Sequence, residues 1–177
     1  MANMKSITLV LVAFVLTPLV TLATPSADEV LAPAKAKAKA ENKTIFVHFG
    51  ASWCGWCKKL DAFLEQSDIK PVFEKYFVPV KLVVQENEKN KGLENSGAEA
   101  LLKKLGGPGG LPYSAFLDAK GNQIINSKLE GGGGNIGYPA QPAETDWFVA
   151  MMKKAAPAIT PEDLKTIESA LRRPTKT

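Results

Sequence analysis

The chain has 177 residues, of which 45% are hydrophobic, so it is long enough to build one ordinary core without additional cross-links. Its formal net charge is +4, from 22 basic and 18 acidic side chains. The basic residues are not interleaved with aromatic residues as they are in grooves that bind nucleic-acid strands, and we therefore expect no nucleic-acid partner.

The N-terminal 23 residues have the pattern of a secretory signal peptide. Lys5 precedes an apolar run at 7–20, and small residues follow before residue 24. The run is shorter than the roughly 20 residues that span a bilayer, so a cleaved signal fits better than a stable membrane anchor. The sequence therefore predicts a signal peptide over 1–23 and an exported protein, periplasmic or secreted, with no stable anchor after cleavage.

Residues 24–43 are rich in Ala and Lys, a composition that fits either a flexible linker or a surface helix. Ala, Lys and Glu favour helices, and Asp28 is a candidate cap for the helix start. We expect a surface helix that leads into the first core strand.

The segment 44–49 is a β-branched and aromatic run, which is typical of a strand covered on both faces. Alternation places Thr44, Phe46 and His48 on one face of this strand and the residues between them on the other. The elements predicted after it are a helix over 54–66, helical turns over 72–77, a strand over 77–84, a polar loop over 85–95, a helix over 97–105, strands over 111–117 and 122–129, and helices over 144–155 and 161–172. Because strands that alternate with helices pair in parallel and the hairpin at 118–122 adds an antiparallel edge, the predicted class is α/β with three layers.

The two cysteines of the chain, Cys54 and Cys57, lie in one tetrapeptide where the first strand gives way to a helix. A disulfide that closes so short a loop removes little entropy from the unfolded chain, so the spacing indicates a reactive pair. At a helix N-terminus, unpaired N–H groups and the macrodipole favour a thiolate, which makes Cys54 the expected nucleophile. Cys57, about one turn later, is expected to be more buried and to resolve the mixed disulfide that Cys54 forms.

Three other roles for this pair stay open: a structural disulfide, half of a zinc site, and a Cu(I) carrier that uses the two thiolates. The chain has two Cys and one His, fewer than the four ligands of an ordinary zinc site. Dithiol–disulfide exchange is the leading hypothesis and needs neither a metal nor a bound cofactor, and a Cu(I)-binding metallochaperone is the alternative.

A resemblance to the thioredoxin superfamily lies in the sequence FVHFGASWCGWCKK at 46–59. This segment is similar to the strand, active-site turn and helix of that superfamily, and most of all to bacterial exported thioredoxin-like proteins with a Trp-Cys-Gly-x-Cys-Lys active site. The resemblance implies a thioredoxin-like domain over 44–156, with three α/β/α layers around a central mixed sheet of about four strands. The residues after it, 157–177, are predicted as a C-terminal helix and tail, and this helix has no obvious counterpart in the family. The resemblance also implies a thiol–disulfide oxidoreductase that acts on protein thiols and disulfides and is recycled by a redox partner protein.

The resemblance assigns candidate catalytic residues besides the two cysteines. Trp53 matches the Trp that flanks the family's nucleophile, Pro112 matches the cis-proline beside the redox pair, and Lys81 matches a strand lysine near the active site. His48 stands where thioredoxins carry a buried Asp, and is expected beneath the active-site helix, where it could take a proton from Cys57. The alternatives are a trans proline at the start of an edge strand and a satisfied core histidine.

The chain also departs from the thioredoxin pattern near the expected substrate surface. Trp56 replaces the Pro that thioredoxins place between the cysteines, and the segment 131–142 is enlarged. In a thioredoxin-like fold this segment lies beside the active site, so we expect a substrate-contacting flap, with a plain loop as the alternative. The expected substrate-binding residues are Trp53, Trp56, Leu111, Ile136 and Tyr138. These departures leave reduction, oxidation and isomerisation all open.

Overall fold

The computed structural model describes residues 23–107 and 109–173, so nearly all of the predicted signal peptide lies outside the described residues. Within them, one sheet has the strand order β2-β1-β3-β4. Its strands are β1 (Thr44–Gly50), β2 (Phe77–Val83), β3 (Tyr113–Leu117) and β4 (Gln123–Asn126). β1 pairs in parallel with β2 and antiparallel with β3, and β3 pairs antiparallel with β4, so the sheet is mixed as predicted.

Helices cover both faces of this sheet. They are α1 (Ala27–Glu41), α2 (Gly55–Leu64), α3 (Lys70–Tyr76), α4 (Ala98–Lys104), α5 (Pro142–Ala155) and α6 (Pro161–Leu171), with short 3-10 helices at Glu88–Leu93 and Glu130–Gly132. Apolar residues of α1 and α4 pack on one face, and those of α2, α3, α5 and α6 pack on the other. The predicted three-layer α/β/α arrangement is confirmed. No helix in the described part of the chain is long and apolar enough to cross a membrane.

The alternation of side chains along β1 divides the core into two halves. Phe46 is buried in the half that contains α2 and α5, and its ring centroid lies 5.2 Å from that of Phe73, 5.0 Å from that of Phe116 and 5.9 Å from that of Phe148. The neighbours of Phe46 along the strand are buried in the other half, with α1 and α4. Because side chains two residues apart share a face, His48 lies on the same face as Phe46, below α2.

Most of the segment 24–43 forms α1, and this helix packs on the core. Leu31, Ala34 and Ala38 of α1 are buried in the same half of the core as Val78, Val80 and Leu82 of β2. The prediction that Asp28 caps this helix is wrong, because Ser26 is the N-cap. Its hydroxyl accepts the Glu29 N–H at 3.2 Å and its own N–H donates to the Glu29 carboxylate at 2.7 Å, the reciprocal pair that a capping box requires.

The third and fourth strands are shorter than predicted, for local reasons. β3 begins at Tyr113 and not at Leu111, because Pro112 has no N–H to donate to a ladder. β4 ends at Asn126, since the next residue, Ser127, accepts the Ser114 N–H through its hydroxyl at 2.9 Å and so replaces a backbone acceptor.

The segment 85–95, which was predicted as a polar loop, contains a 3-10 helix. The predicted helical turns over 72–77 correspond to α3, which begins one residue before Pro71. This proline therefore lies in the first turn of a helix, where its missing N–H is tolerated.

Candidate active site

The two cysteines lie at the start of α2, directly after the turn that follows β1. Cys54 is the N-cap of the helix and Cys57 lies in its first turn, and the two are joined by a disulfide with a Cα–Cα distance of 5.3 Å. The Cys57 N–H donates to Cys54 Sγ at 3.1 Å. A backbone donor at a helix N-terminus stabilises negative charge, so this arrangement favours a thiolate on Cys54 when the disulfide is reduced.

Two tryptophans flank the disulfide on the side that faces solvent. Trp53 is 56% exposed and Trp56 is 51% exposed, whereas Cys54 and Cys57 are both buried, Cys57 completely. The Trp53 indole N–H donates to the Gln85 carbonyl at 2.8 Å, which fixes this ring against the segment after β2. Tryptophan is enriched where proteins contact one another, so this exposed pair beside the disulfide is a candidate contact surface.

A polar cluster of three residues lies beneath α2. His48, which is 4% exposed, places its Nε2 at 2.9 Å from Asp61 Oδ1, and Lys81 Nζ donates to Asp61 Oδ2 at 2.5 Å. Burial raises the pKa of Asp61, but the hydrogen bonds from His48 and Lys81 together outweigh burial and hold this pKa below its ordinary value. A pocket of about 290 Å³ opens beside these three side chains and gives the cluster a route to solvent.

The cluster also orients the imidazole. A carboxylate only accepts hydrogen bonds, so Asp61 selects the tautomer in which His48 Nε2 carries the hydrogen. The other ring nitrogen, Nδ1, is buried and has no hydrogen-bond partner among the described residues. In this tautomer Nδ1 of the neutral ring has a free lone pair, which can accept a proton.

Gly50 shows how closely Cys57 approaches the strand that carries His48. A Cβ atom built on Gly50 would lie 3.1 Å from Cys57 Cβ, 3.3 Å from Cys57 Sγ and 4.0 Å from Lys81 Cε. Cys57 Sγ and the Lys81 side chain therefore approach the same point of β1, two residues beyond His48. A larger residue at position 50 would push the resolving sulfur away.

Asp61 was not among the site residues predicted from the sequence. It stands four residues after Cys57 on α2, and residues at this spacing lie on the same side of a helix. This spacing was a signal that could have placed a carboxylate below the redox pair. Lys81 and His48 were expected near the site from the resemblance alone, and Asp61 is the residue that joins them.

The residues around the start of β3 border the disulfide from another direction. The Leu111–Pro112 peptide bond is cis, and Leu111 packs against Cys54 and Cys57. Pro112 is buried, and its carbonyl accepts a hydrogen bond from Asn135 Nδ2 at 2.9 Å. The contact with Asn135 ties the segment that follows β4 to this edge of the site.

Four of the five expected substrate-binding residues line one pocket beside the disulfide. This pocket has a volume of about 230 Å³, and its walls include Trp56, Leu111, Ile136 and Tyr138. The Trp56 and Tyr138 rings stack with a centroid distance of 6.1 Å, and burial raises the pKa of the Tyr138 phenol. Trp53, the fifth residue, does not line this pocket.

A second carboxylate that sequence analysis missed lies next to the turn before Cys54. Glu86 is 6% exposed, and its carboxylate accepts both the N–H of Ser52 and, at 2.7 Å, the Ser52 hydroxyl. Asn90 Nδ2 also donates to the Ser52 hydroxyl oxygen at 3.0 Å. Glu86 is 34 residues away from Ser52 in the chain and falls in a segment predicted only as a polar loop, so no local pattern indicated this contact.

The part of the chain that the structure describes contains no candidate metal-binding site. No group of three or more His, Cys, Asp or Glu side chains there is arranged to hold an ion.

A family model described as thioredoxin-like matches residues 27–119. The chain belongs to this thioredoxin-like family. The match begins at the first residue of α1 and extends past β3, so it includes the redox pair, the polar cluster beneath α2 and Pro112. A comparison with curated protein sequences gave no match.

Several solved structures are similar to this thioredoxin-like chain. A disulphide isomerase from Xylella fastidiosa Temecula1 shares 23% identity over 60% of this chain and 79% of that one, with a TM-score of 0.46. A protein described as DsbH oxidoreductase shares 23% identity over 83% and 96% of the two chains, with a TM-score of 0.45. The oxidised C-terminal domain of DsbD from Neisseria meningitidis shares 20% identity over 73% and 99%, with a TM-score of 0.44.

Proposed function

We propose that this thioredoxin-like protein is a thiol–disulfide oxidoreductase that exchanges disulfides with protein substrates outside the cytoplasm. The observation that carries the proposal is the Cys54–Cys57 disulfide at the start of α2, where Cys54 accepts the Cys57 N–H and two half-exposed tryptophans flank the pair. The two cysteines are three residues apart, so their disulfide contributes little stability, and reactivity is the better explanation for this pair.

The reaction has two exchange steps. The thiolate of reduced Cys54 attacks one sulfur of a substrate disulfide, a Cys54–substrate bond forms, and the displaced substrate sulfur takes a proton. Cys57 then attacks Cys54 Sγ, which releases the second substrate sulfur as a thiol and re-forms the Cys54–Cys57 disulfide. Two electrons pass to the substrate, so a dithiol partner protein has to reduce the pair again. The same steps run in reverse when the oxidised protein meets a reduced substrate.

The polar cluster beneath α2 serves the second step. Cys57 has to lose its proton before it can attack, and it is completely buried, so water is a poor acceptor for that proton. We assign this task to His48 Nδ1, with Asp61 holding the ring in the required tautomer. Lys81 balances the charge of Asp61 through the bond between Nζ and Oδ2.

The exposed aromatic surface is the proposed contact for substrates. Trp56, Leu111, Ile136 and Tyr138 form a pocket of about 230 Å³ whose size fits one side chain of a substrate protein next to its reacting cysteine. Trp53 contacts the substrate on the opposite side of the pair, and Pro112 borders the position of the mixed disulfide. The segment 131–142 contributes two walls of the pocket and is the proposed flap.

The proposed location outside the cytoplasm is supported by sequence alone. An apolar run preceded by Lys5 and followed by small residues has the order of a signal peptide, and a chain exported this way meets the disulfide-rich proteins that need such exchange.

The test of the proposed function compares Cys54→Ser with Cys57→Ser in an assay of protein-disulfide reduction driven by a small dithiol. Cys54→Ser should abolish exchange, whereas Cys57→Ser should form a mixed disulfide with the substrate and stop there. Alkylation of the reduced protein near neutral pH should label Cys54 first. Faster labelling of Cys57, or a reduced protein that binds Cu(I) tightly but does not react with protein disulfides, would contradict the proposal.

A further inference from the structure

Glu86 has a position that the exchange mechanism does not use. Its carboxylate is buried in the segment after β2 and binds Ser52, which lies two residues before the nucleophile Cys54. Chain geometry therefore keeps this carboxylate on the order of 10 Å from Cys54. Among the described residues no Lys, Arg or His forms an ion pair with Glu86, and both of its contacts with Ser52 are to neutral donors.

Two other acidic groups near the redox pair form ion pairs with lysines. Asp61 on α2 pairs with Lys81 on β2. Glu94, whose carboxylate accepts the Glu86 N–H at 2.8 Å, pairs with Lys91 at 3.0 Å. Among the described residues Glu86 is the carboxylate that is buried, and no ion pair balances its charge.

Several groups favour a thiolate on Cys54, and Glu86 opposes them. The start of α2 and the Cys57 N–H stabilise negative charge there. Lys58 and Lys59 follow in the helix, but both are exposed to solvent, which screens their charge, and Lys59 Nζ lies over the Trp56 ring at 4.4 Å. A buried charge is screened less than an exposed one, so the repulsion from Glu86 is weakened by solvent less than the attraction from these two lysines is.

We propose that Glu86 sets the redox direction of the protein: it destabilises the Cys54 thiolate, favours the disulfide over the dithiol and makes the protein a reductant of its substrates. This inference rests on the proposed function and adds its direction. A dithiol that is less stable than its disulfide gives up its two electrons more readily, and they pass to the substrate disulfide through the mixed disulfide on Cys54. Glu86 touches no reacting atom and acts on Cys54 through its charge, while Ser52 holds its carboxylate in place.

The decisive variant is Glu86→Gln, because it removes the charge and keeps the contacts. The amide oxygen can accept the Ser52 N–H, and the amide nitrogen can donate to the Ser52 hydroxyl oxygen. Glu88→Gln is the matched control, since it removes the same charge from an exposed position two residues away. Ser52→Ala is the structural control, because it removes both hydrogen bonds of the Ser52 hydroxyl, to Glu86 and from Asn90, and leaves the charge in place.

Two quantities are measured for each purified protein: the pKa of Cys54 from the ultraviolet absorbance of its thiolate, and the equilibrium with glutathione. Glu86→Gln should lower the pKa of Cys54, because it removes a nearby negative charge. It should also shift the glutathione equilibrium toward the dithiol by up to about tenfold, which corresponds to about 30 mV. Glu88→Gln and Ser52→Ala should each change this equilibrium by less than about twofold.

Two results would overturn the inference. The first is a glutathione equilibrium in Glu86→Gln that equals that of the wild-type protein. The second is a shift of this equilibrium in Ser52→Ala as large as that in Glu86→Gln, which would assign the effect to the shape of the turn and not to charge. Failure of the proposed function is a separate outcome: the wild-type protein would then not reduce protein disulfides, while its equilibrium with glutathione would still depend on Glu86.

Discussion

We expect Asp61→Asn to slow the second exchange step, in which Cys57 resolves the mixed disulfide, and to leave the first step near its wild-type rate. In the wild-type protein both carboxylate oxygens accept hydrogen bonds, one from His48 and one from Lys81. An amide has one accepting oxygen. When that oxygen binds Lys81, the amide nitrogen faces His48 Nε2, which then has to accept a hydrogen bond, and the ring hydrogen moves to Nδ1.

The size of the effect follows from these changes. A ring with its hydrogen on Nδ1 cannot accept the Cys57 proton, and a positioned base contributes about 10²–10⁴-fold to a proton transfer. Water from the adjacent pocket replaces part of this contribution, so we expect resolution to slow by about 10- to 100-fold. The free energy of unfolding should fall by about 2 kcal/mol, because one bond to a charged group is weakened and the Lys81 pair is partly exposed.

The assay is stopped-flow tryptophan fluorescence, since Trp53 and Trp56 flank the disulfide and report its state. The resolution rate is measured with both cysteines present, and the formation rate is measured in Cys57→Ser, where the reaction stops at the mixed disulfide. Glu65→Gln is the matched control: Glu65 borders the same pocket, but its carboxylate binds Lys70 at 2.7 Å. Wild-type resolution in Asp61→Asn, or equal slowing of both steps, would refute the proposed role of the cluster.

The pH dependence of stability gives a second readout for the same variant. The pKa of Asp61 is lowered in the folded protein, so its carboxylate contributes stability at pH values above its unfolded pKa of about 4. This contribution is lost as the pH falls through the folded pKa. The amide variant does not titrate at this position, so the difference in stability between the two proteins should be constant near neutral pH and should shrink below about pH 4.

The remaining predictions concern three other side chains. His48→Ala should slow resolution more than formation, and the imidazole NMR signals of the wild-type protein should differ between its oxidised and reduced states; identical signals together with unchanged kinetics would make His48 a core residue only. Trp56→Ala should raise the KM for a protein substrate and leave the rate with a small disulfide unchanged, because the pocket shared with Tyr138 serves only the larger substrate. Tyr76→Phe should lower the free energy of unfolding by about 1 kcal/mol, since the phenol donates to Asp163 at 2.6 Å, and an unchanged denaturation midpoint would contradict this.

The parts of the fold that could be predicted from sequence depend on short-range patterns. The run at 44–49 has the composition of a buried strand, and the cysteine pair directly after it marks the start of a helix. Both features are set by neighbouring residues, so the strand, the helix and the position of the disulfide could be inferred without knowledge of the partner elements. The strand alternation that places His48 on the same face as Phe46 is also a short-range pattern.

The parts that could not be predicted depend on contacts between distant residues or on competition between similar caps. Ser26 and Asp28 are both good caps, and Ser26 is the cap because Glu29 lies three residues after it and completes a capping box. Glu86 and Ser52 meet only when β1 and β2 pair in parallel and bring the ends of both strands to the same edge. Sequence patterns identify strands more readily than they identify which loop lies beside another.

Glu86 and Asp61, the two carboxylates not predicted from the sequence, have proposed roles at different sulfurs. Glu86 accepts hydrogen bonds from Ser52, in the turn before Cys54, whereas Asp61 binds His48 and Lys81 beneath α2. The two carboxylates share no hydrogen-bond partner among the described residues. Effects at sites without shared partners usually add. The double variant Glu86→Gln/Asp61→Asn should therefore resolve the mixed disulfide as slowly as Asp61→Asn alone, and its shift in the glutathione equilibrium should equal the product of the two single fold-changes within about twofold. A double variant that departs from both expectations would mean that one connected network controls both cysteines, because only a shared network lets the loss of one carboxylate change the effect of the other.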